Sequence, residues 1–374
     1  MTNKLHLRRK RCAQRGYAML TIITILAIAA TTLVVTSLNS TAIRSEQDRK
    51  TIAALALAKL ALIGRAAADD DRPGSLPCPD TDNDGQSNIA NPVTGDCVAT
   101  VGRLPWQTLG LPDLRDASGE RLWYALAQQF SDVTGNVINS NTPGALNVTG
   151  TLAASNAAAI VFAPGAPLAT QVRDASQVNA VAQYVESYVS ATAYSTSATG
   201  SGYNDQLMVI TPADIFAVVE RRIAREVQNA LQTYFTANAG KLPWYAPACS
   251  GSGAVNCPTV SPLPSPPSPA EALPAAGTPG YIPTDDPSLN LALPGWFSAN
   301  GWNAMLTYRV DSDCAAGQPT CGAAFAGYAA GGSGALIGFT GGTANTGTRA
   351  VLSFSGVDPM YANYQTTVLV AALQ

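Results

Sequence analysis

Arg8-Arg9-Lys10-Arg11-Cys12-Ala13-Gln14-Arg15-Gly16 is followed by Tyr17-Ala18-Met19-Leu20 and an uncharged run that ends at Leu38. The segment before Gly16 is basic, and Tyr17–Leu38 carries no charge over 22 residues. About 20 apolar residues suffice to cross a bilayer as a helix. Thr21, Thr24, Thr31, Thr32 and Thr36 dilute the run, but threonine hydroxyls can bond back to helix carbonyls. The basic cluster flanks the run on its N-terminal side, which predicts a cytoplasmic N-terminus. Residues from Asn39 to Gln374 are then expected on the outer side.

Three readings of this stretch compete. A cleaved secretory signal needs an apolar core of about 7–15 residues and a small-residue cut site after it; this core is longer and is followed by no such site. An uncleaved signal anchor is the second reading. The third rests on Gly16-Tyr17-Ala18-Met19-Leu20, which resembles a type IV prepilin processing site: a short basic leader, a glycine, then an aromatic or apolar residue opening a long helix. The resemblance implies cleavage after Gly16 by a prepilin peptidase, methylation of the new N-terminus at Tyr17, and a helix that packs among other pilin or pseudopilin subunits. Most pilins carry a glutamate five residues after the cut, whereas this chain has Thr21. Its loss is a feature of tip pseudopilins of type II secretion and of some minor pilins. The resemblance therefore implies a low-copy minor pilin or pseudopilin at a tip or initiation complex, held in the bacterial inner membrane with its outer domains in the periplasm or a surface filament.

Composition fits an outer location. The chain has 374 residues, 47% hydrophobic and only 13% charged, a balance suited to loop-rich extracellular domains. Its net charge of −3 hides an asymmetry: residues 1–16 hold six Lys/Arg and no acid, leaving 16 basic and 25 acidic side chains, a net of −9. So acidic a body is not expected to bind nucleic acid, which needs clustered Lys/Arg to neutralise phosphates. Cys12 lies in the leader, and the other six cysteines fall into close pairs: Cys78 with Cys97, Cys249 with Cys257, Cys314 with Cys321. An even, locally paired set outside the membrane points to disulfides. A zinc site would want short C-x-x-C knuckles and further ligands, and none is present.

The helix is expected to continue past Leu38, with Ile43, Ile52, Leu55, Leu60 and Ile63 at roughly helical spacing. The breaker cluster Asp69-Asp70-Asp71-Arg72-Pro73-Gly74 should end it. Cys78-Pro79-Asp80-Thr81-Asp82-Asn83-Asp84-Gly85 follows. Its D-x-D-x-D-G spacing puts three carboxylates on one tight loop, which suits calcium, an ion that takes six to eight oxygens. The twelfth position from Asp80 is Asn91 rather than the bidentate glutamate of an EF-hand, so Asp96 is the candidate fourth ligand beside Asp80, Asp82 and Asp84. A solvated acidic turn is the alternative. Trp106 and Trp123 are expected to pack rather than to form a sugar platform. Strands are expected at Leu122–Leu126, Ala158–Gly165, Gln206–Ile210, Val351–Phe354 and Thr366–Ala371.

Thr211-Pro212-Ala213-Asp214 has the signature of a helix start. Ile215, Val219, Ile223, Val227, Leu231 and Tyr234 form an apolar stripe behind it, with Glu220, Arg221, Arg222, Arg225 and Glu226 facing away or flanking it, and Gly240 as its C-cap. A faint repeat then appears. Gly240-Lys241-Leu242-Pro243-Trp244 echoes Gly102-Arg103-Leu104-Pro105-Trp106, Trp302–Tyr308 echoes Leu122–Leu126, and Ala335–Gly341 echoes Ala158–Gly165. The expected fold is α+β: a long N-terminal transmembrane helix at 17–38 continuing into a pilin-like helix on antiparallel sheet, in two tandem helix-plus-sheet units at 39–210 and 211–374. The second carries a proline-rich loop at 258–287.

An enzyme is not expected. The only histidine is His6, within the leader, which removes Ser-His and Cys-His nucleophiles and histidine metal triads. No phosphate loop or dinucleotide fingerprint occurs. Asp and Glu are scattered through turns, and spacing alone cannot place two of them across a cleft. Of a different class is an unprocessed membrane-anchored binding protein or adhesin.

Overall fold

The computed structural model describes residues 15–198, 200, 202–237, 291, 293–310, 334–339 and 349–355. The leader before Arg15, the proline-rich loop, Gly240 and the echo that starts there, and the closing strand at Thr366–Ala371 lie outside the described residues. In chain order the elements are α1 (Arg15–Ala68), β1 (Ile89–Asn91), β2 (Asp96–Cys97), β3 (Val101–Arg103), β4 (Trp123–Leu126), β5 (Leu146–Gly150), β6 (Ala154–Ala157), β7 (Ala159–Ala163), β8 (Tyr188–Ser190), β9 (Ala193–Thr196) and β10 (Gln206–Ile210). Then come α2 (Pro212–Ala237), α3 (Gly295–Ala299), α4 (Trp302–Met305), β11 (Leu306–Val310), β12 (Gly334–Phe339) and β13 (Arg349–Ser355). The fold is α+β, with one long apolar helix and mainly antiparallel sheets.

α1 is one unbroken helix of 54 residues, about 80 Å long at 1.5 Å per residue. Within it, Ala42–Ala68 is apolar enough, by length and composition, to cross a membrane. The distal part of that segment is also a core helix: Thr51, Ala54, Leu55, Ala58, Leu62 and Ala66 are buried, and α1 packs against β7, β10 and α2. The buried face differs from the stripe expected from sequence. Leu55 is buried and Ile63 packs at the margin of the core, but Ile43, Ile52 and Leu60 are exposed. Alanines at 54, 58 and 66 let the helix backbone approach the sheet closely, so the largest apolar side chains do not mark the packed face.

The helix stops where the breakers stand. The Asp69 carboxylate accepts the backbone N–H groups of Asp71 (3.1 Å) and Arg72 (2.7 Å) and pairs with Arg65 at 2.7 Å. Arg222 of α2 donates to the carbonyl of Ala67 at 2.8 Å and also to that of Asp69. The Arg222 contacts satisfy carbonyls that a helix end leaves without intrahelical partners.

The central sheet runs β10-β7-β4-β3, antiparallel throughout. Every residue of β4 and β7 is buried, as expected for strands covered on both faces. A second sheet, β6-β5-β9-β8, contains one parallel pair, β5 with β9. That pairing departs from the antiparallel expectation; its cause is that β5 and β9 are separated by β6, β7 and β8 rather than joined by a tight turn. Gly150 ends β5 at φ +97°, and a Cβ there would meet the Thr196 carbonyl oxygen at 1.9 Å. The third sheet, β11-β12-β13, is antiparallel.

α2 begins as its sequence requires. Thr211 Oγ1 accepts the Asp214 N–H at 3.2 Å, and Asp214 Oδ2 accepts the Thr211 N–H at 2.8 Å, a reciprocal cap with Asp in place of Glu. All six residues of the expected stripe, Ile215 to Tyr234, are buried. Glu220 is buried as well, accepting from Ser140 Oγ at 2.7 Å, so of the two placements expected for it, facing away or flanking the stripe, it does not face away. It lies within the wide face that α2 must bury because other elements cover the helix on more than one side. Phe216 stacks edge-on to Trp302 and tilted to Phe130. α1, β4, β7, α2, α3 and α4 contribute to one continuous core. Trp302 belongs to α4 rather than to a strand, and β11 starts at Leu306.

The two faces of α1 should respond oppositely to truncation. Leu62→Ala is expected to cost about 3 kcal/mol, as for fully buried leucines, and Leu60→Ala to stay within about 0.5 kcal/mol. Thermal unfolding of the two variants checks this; equal losses would contradict the packed face described.

Candidate functional site

Three features are candidates for function: the start of α1, the Asp80 loop with its disulfide, and an acidic pair in which Asp205 is buried and Glu186 half-buried. At the first, the backbone of Gly16 and Tyr17 is already helical, so the step from the basic segment to the uncharged run lies within α1.

The Asp80 loop is built around one buried carboxylate. Asp80 Oδ1 accepts the N–H groups of Asp82 (3.2 Å) and Asn83 (2.6 Å), and Oδ2 accepts that of Gly85 (2.7 Å). Asn83 and Gly85 adopt positive φ, +68° and +90°. A Cβ at Gly85 would meet the Trp106 ring at 2.5 Å, so glycine is required by both conformation and space. Arg121 donates to the Asn83 carbonyl at 2.6 Å while pairing through two nitrogens with Asp113. Asn88 Oδ1 accepts the Thr81 N–H at 2.5 Å. Trp106 and Trp123 therefore serve packing: Trp106 covers the loop, and Trp123 lies buried under the Arg103 guanidinium.

Asp80, Asp82 and Asp84 bring their carboxylate oxygens within 4.8 Å of one another. Asp82 and Asp84 are exposed and Asp80 is buried. Burial pushes the Asp80 carboxyl up from its ordinary range against the Gly85 and Asn83 N–H groups, and Asp82 adds to the rise. Such a trio can supply part of the oxygen shell of a hard cation. Asp96 does not join it; its Oδ2 accepts Thr94 Oγ1 at 2.5 Å. Cys78 and Cys97 form a disulfide with Cα atoms 5.3 Å apart, tying β2 to the segment entering the loop. The loop it closes contributes about 3 kcal/mol in the chain-entropy model. Cys249, Cys257, Cys314 and Cys321 lie outside the described residues.

The third feature was not legible in spacing. Glu186 and Asp205, nineteen positions apart, come together where the segments entering β8 and β10 are bonded to each other. Asp205 Oδ2 accepts the Ser187 N–H (2.7 Å) and Ser187 Oγ (2.6 Å), and Oδ1 has no partner among the described residues. Glu186 accepts the Asn204 N–H at 3.2 Å and a short bond from Gln171 Nε2. Burial pushes the Asp205 carboxyl up to about 8, and the neighbouring Glu186 charge adds to this against the Ser187 bonds. Nearby, Tyr184 lies between two guanidinium groups, Arg103 at 4.5 Å and Arg173 at 4.8 Å from its ring centroid.

Comparison with protein families, with curated proteins and with solved structures found no match to the chain. The functional reading therefore rests on the residues themselves.

Asp80→Ala is expected to destabilise the protein by about 1–3 kcal/mol, because three backbone N–H groups lose their acceptor. Asp84→Asn, which keeps an acceptor for the Gln86 N–H (2.7 Å), should change stability by less than about 0.5 kcal/mol. Denaturant melts of both variants in metal-free buffer make the comparison.

Proposed function

We propose that this chain is a non-enzymatic, type IV pilin-like subunit, a minor pilin or pseudopilin, that enters the tip or initiation complex of an envelope-spanning filament. The observation that carries the reading is the start of α1. A basic segment, Gly16 and Tyr17 open a helix that runs unbroken to Ala68, uncharged from Tyr17 to Leu38 and packed on an antiparallel sheet over its distal half. In this reading Tyr17–Leu38 is the inner-membrane span, with the N-terminus cytoplasmic, and it later inserts among partner helices. Thr21 argues for a low-copy position, since it supplies no carboxylate to a neighbouring subunit's N-terminus. Ile52, Leu57 and Leu60, exposed on the outer face of α1, extend the apolar surface beyond the span.

The two halves are proposed to be tandem copies of one unit. In the first, β7 lies between β4 and β10; in the second, β12 lies between β11 and β13, and all these pairs are antiparallel. Of the echoed blocks, Ala158–Gly165 and Ala335–Gly341 supply β7 and β12, while the Trp302–Tyr308 block enters β11 only from Leu306, its first four residues forming α4. α1 lies against β10, and α2 against the corresponding β13. The Asp80 loop is proposed to take a calcium ion through Asp80, Asp82 and Asp84, which would stiffen the surface next to the Cys78–Cys97 disulfide.

The deciding experiment is mass spectrometry of the N-terminus of membrane-fraction protein from cells with and without prepilin peptidase. A chain beginning at Tyr17 and N-methylated, seen only when the peptidase is present, is the expected result. An intact leader in both strains would replace this reading with that of an unprocessed anchored binding protein or adhesin. For calcium, the expected outcome is a rise in melting temperature on adding the ion to chelator-treated protein. That rise should be absent from the Asp82→Asn/Asp84→Asn double variant, and an equal response in both would remove the ion from this loop.

A further inference from the structure

Glu186 and Asp205 take no part in the features on which the proposed function rests. Both sit where two chain segments cross: Glu186-Ser187 leads into β8, and Asn204-Asp205 leads into β10. The crossing is bonded both ways. The Ser187 N–H reaches Asp205 at 2.7 Å, the Asn204 N–H reaches Glu186 at 3.2 Å, and Tyr203 Oη and Ser187 Oγ lie 3.0 Å apart. Asp205 is 5% exposed and Ser187 fully buried. The Ser187 N–H and hydroxyl both go to Asp205 Oδ2 and the Asn204 N–H goes to Glu186, while Asp205 Oδ1 has no partner among the described residues. Two ionised carboxylates cannot donate to each other, and a buried acceptor without a donor is costly; two carboxyl groups that share a site do not both ionise readily.

We propose that Glu186 and Asp205 share one proton, carried on Asp205 Oδ1 and donated to Glu186, and that this proton latches the Glu186-Ser187 segment to Asn204-Asp205. The surrounding charges are too few to replace it. Arg173 stands 3.9 Å from Glu186 but is nearer to Glu120, at 3.4 Å. Asp48 of α1 accepts from the adjacent Gln206 at 3.1 Å and adds negative charge. Tyr203, whose phenol is itself pushed up by burial and by both acids, stays neutral and offers only a hydroxyl. Among the described residues no Lys or Arg forms an ion pair with Asp205.

The sign follows from linkage. Asp205 is pushed up to about 8 in the folded chain, against about 3.9 for an unfolded aspartate. Between these values the folded state holds a proton that the unfolded state lacks, so the latch's contribution is complete below about pH 4 and is lost progressively as pH rises to about 8. Such a contact makes the outer domain more robust in mild acid than in mild alkali.

The test uses full-length protein in detergent. Infrared difference spectra of wild type against Asp205→Asn are expected to show a protonated-carboxyl band at pH 6 that vanishes around pH 8. Glu186→Gln, which removes the neighbouring charge, should move the loss of that band to lower pH. The wild-type melting temperature should fall from pH 5 to pH 9 more steeply than that of Asp205→Asn. Absence of the band at pH 6, or a midpoint unmoved by Glu186→Gln, would overturn the proposal. Should Asp205→Asn fail to fold, the wild-type and Glu186→Gln spectra decide alone.

Discussion

The seam along one face of α1 is the contact on which the rest depends. Leu55, Ala58, Leu62 and Ala66 recur every three or four residues and are almost wholly buried, so one stripe of the helix closes the central sheet and receives α2. Three alanines among the buried positions of this face bring backbone close to backbone. The apolar volume that fills the remaining space comes from β4, β7 and α2, whose core residues include Trp123, Phe162, Ile223 and Leu231. A helix with bulkier residues on this face would stand further from the sheet and leave those side chains without partners.

Polar contacts then fix how α1 and α2 meet. Lys59, partly buried on α1, donates to the Val209 carbonyl at 3.1 Å and to Asp214 at 3.0 Å. Burial pushes Asp214 up, but the Thr211 N–H and Lys59 outweigh it and hold the carboxyl below its ordinary range. One carboxylate thus caps α2 and binds α1. At the other end of the contact, Arg222 of α2 closes the carbonyls of α1 and lies 5.5 Å from the Trp296 ring centroid. The helix pair is tied at two points, and these ties set its register while the apolar seam supplies most of the stabilisation.

Much of this was legible because local chemistry agreed with the global fold. Thr211-Pro212-Ala213-Asp214 started α2, Asp69 to Gly74 stopped α1, and the short apolar runs at Ala159–Ala163 and Gln206–Ile210 became paired strands. The failures share a cause: each concerns what lies opposite a residue, and sequence does not give that. Ile52 and Leu60 fit a helical period yet face outward, Glu220 is polar yet buried against Ser140, and β5 pairs in parallel with β9 across an intervening stretch of chain. At the candidate sites, the D-x-D-x-D-G loop was visible because its ligands are consecutive. Asp96 was proposed for it by proximity in sequence and is turned instead to Thr94. The Glu186–Asp205 contact had no local signal at all, since its two acids lie on separate segments that only the folded sheets bring together.

The loop and the acidic pair show opposite solutions to concentrated negative charge. At Asp80 the buried carboxylate is surrounded by backbone N–H groups from its own turn, and its companions Asp82 and Asp84 reach solvent. That loop takes its shape from its own backbone donors, and a cation would add to a turn already closed. At Asp205 the donors come from another segment and reach only one oxygen. There the charge is removed rather than solvated, because retaining it at low dielectric without a cation is the costlier state. The first arrangement depends on the connectivity of six residues; the second depends on how the segments entering β8 and β10, strands of two different sheets, pack against each other.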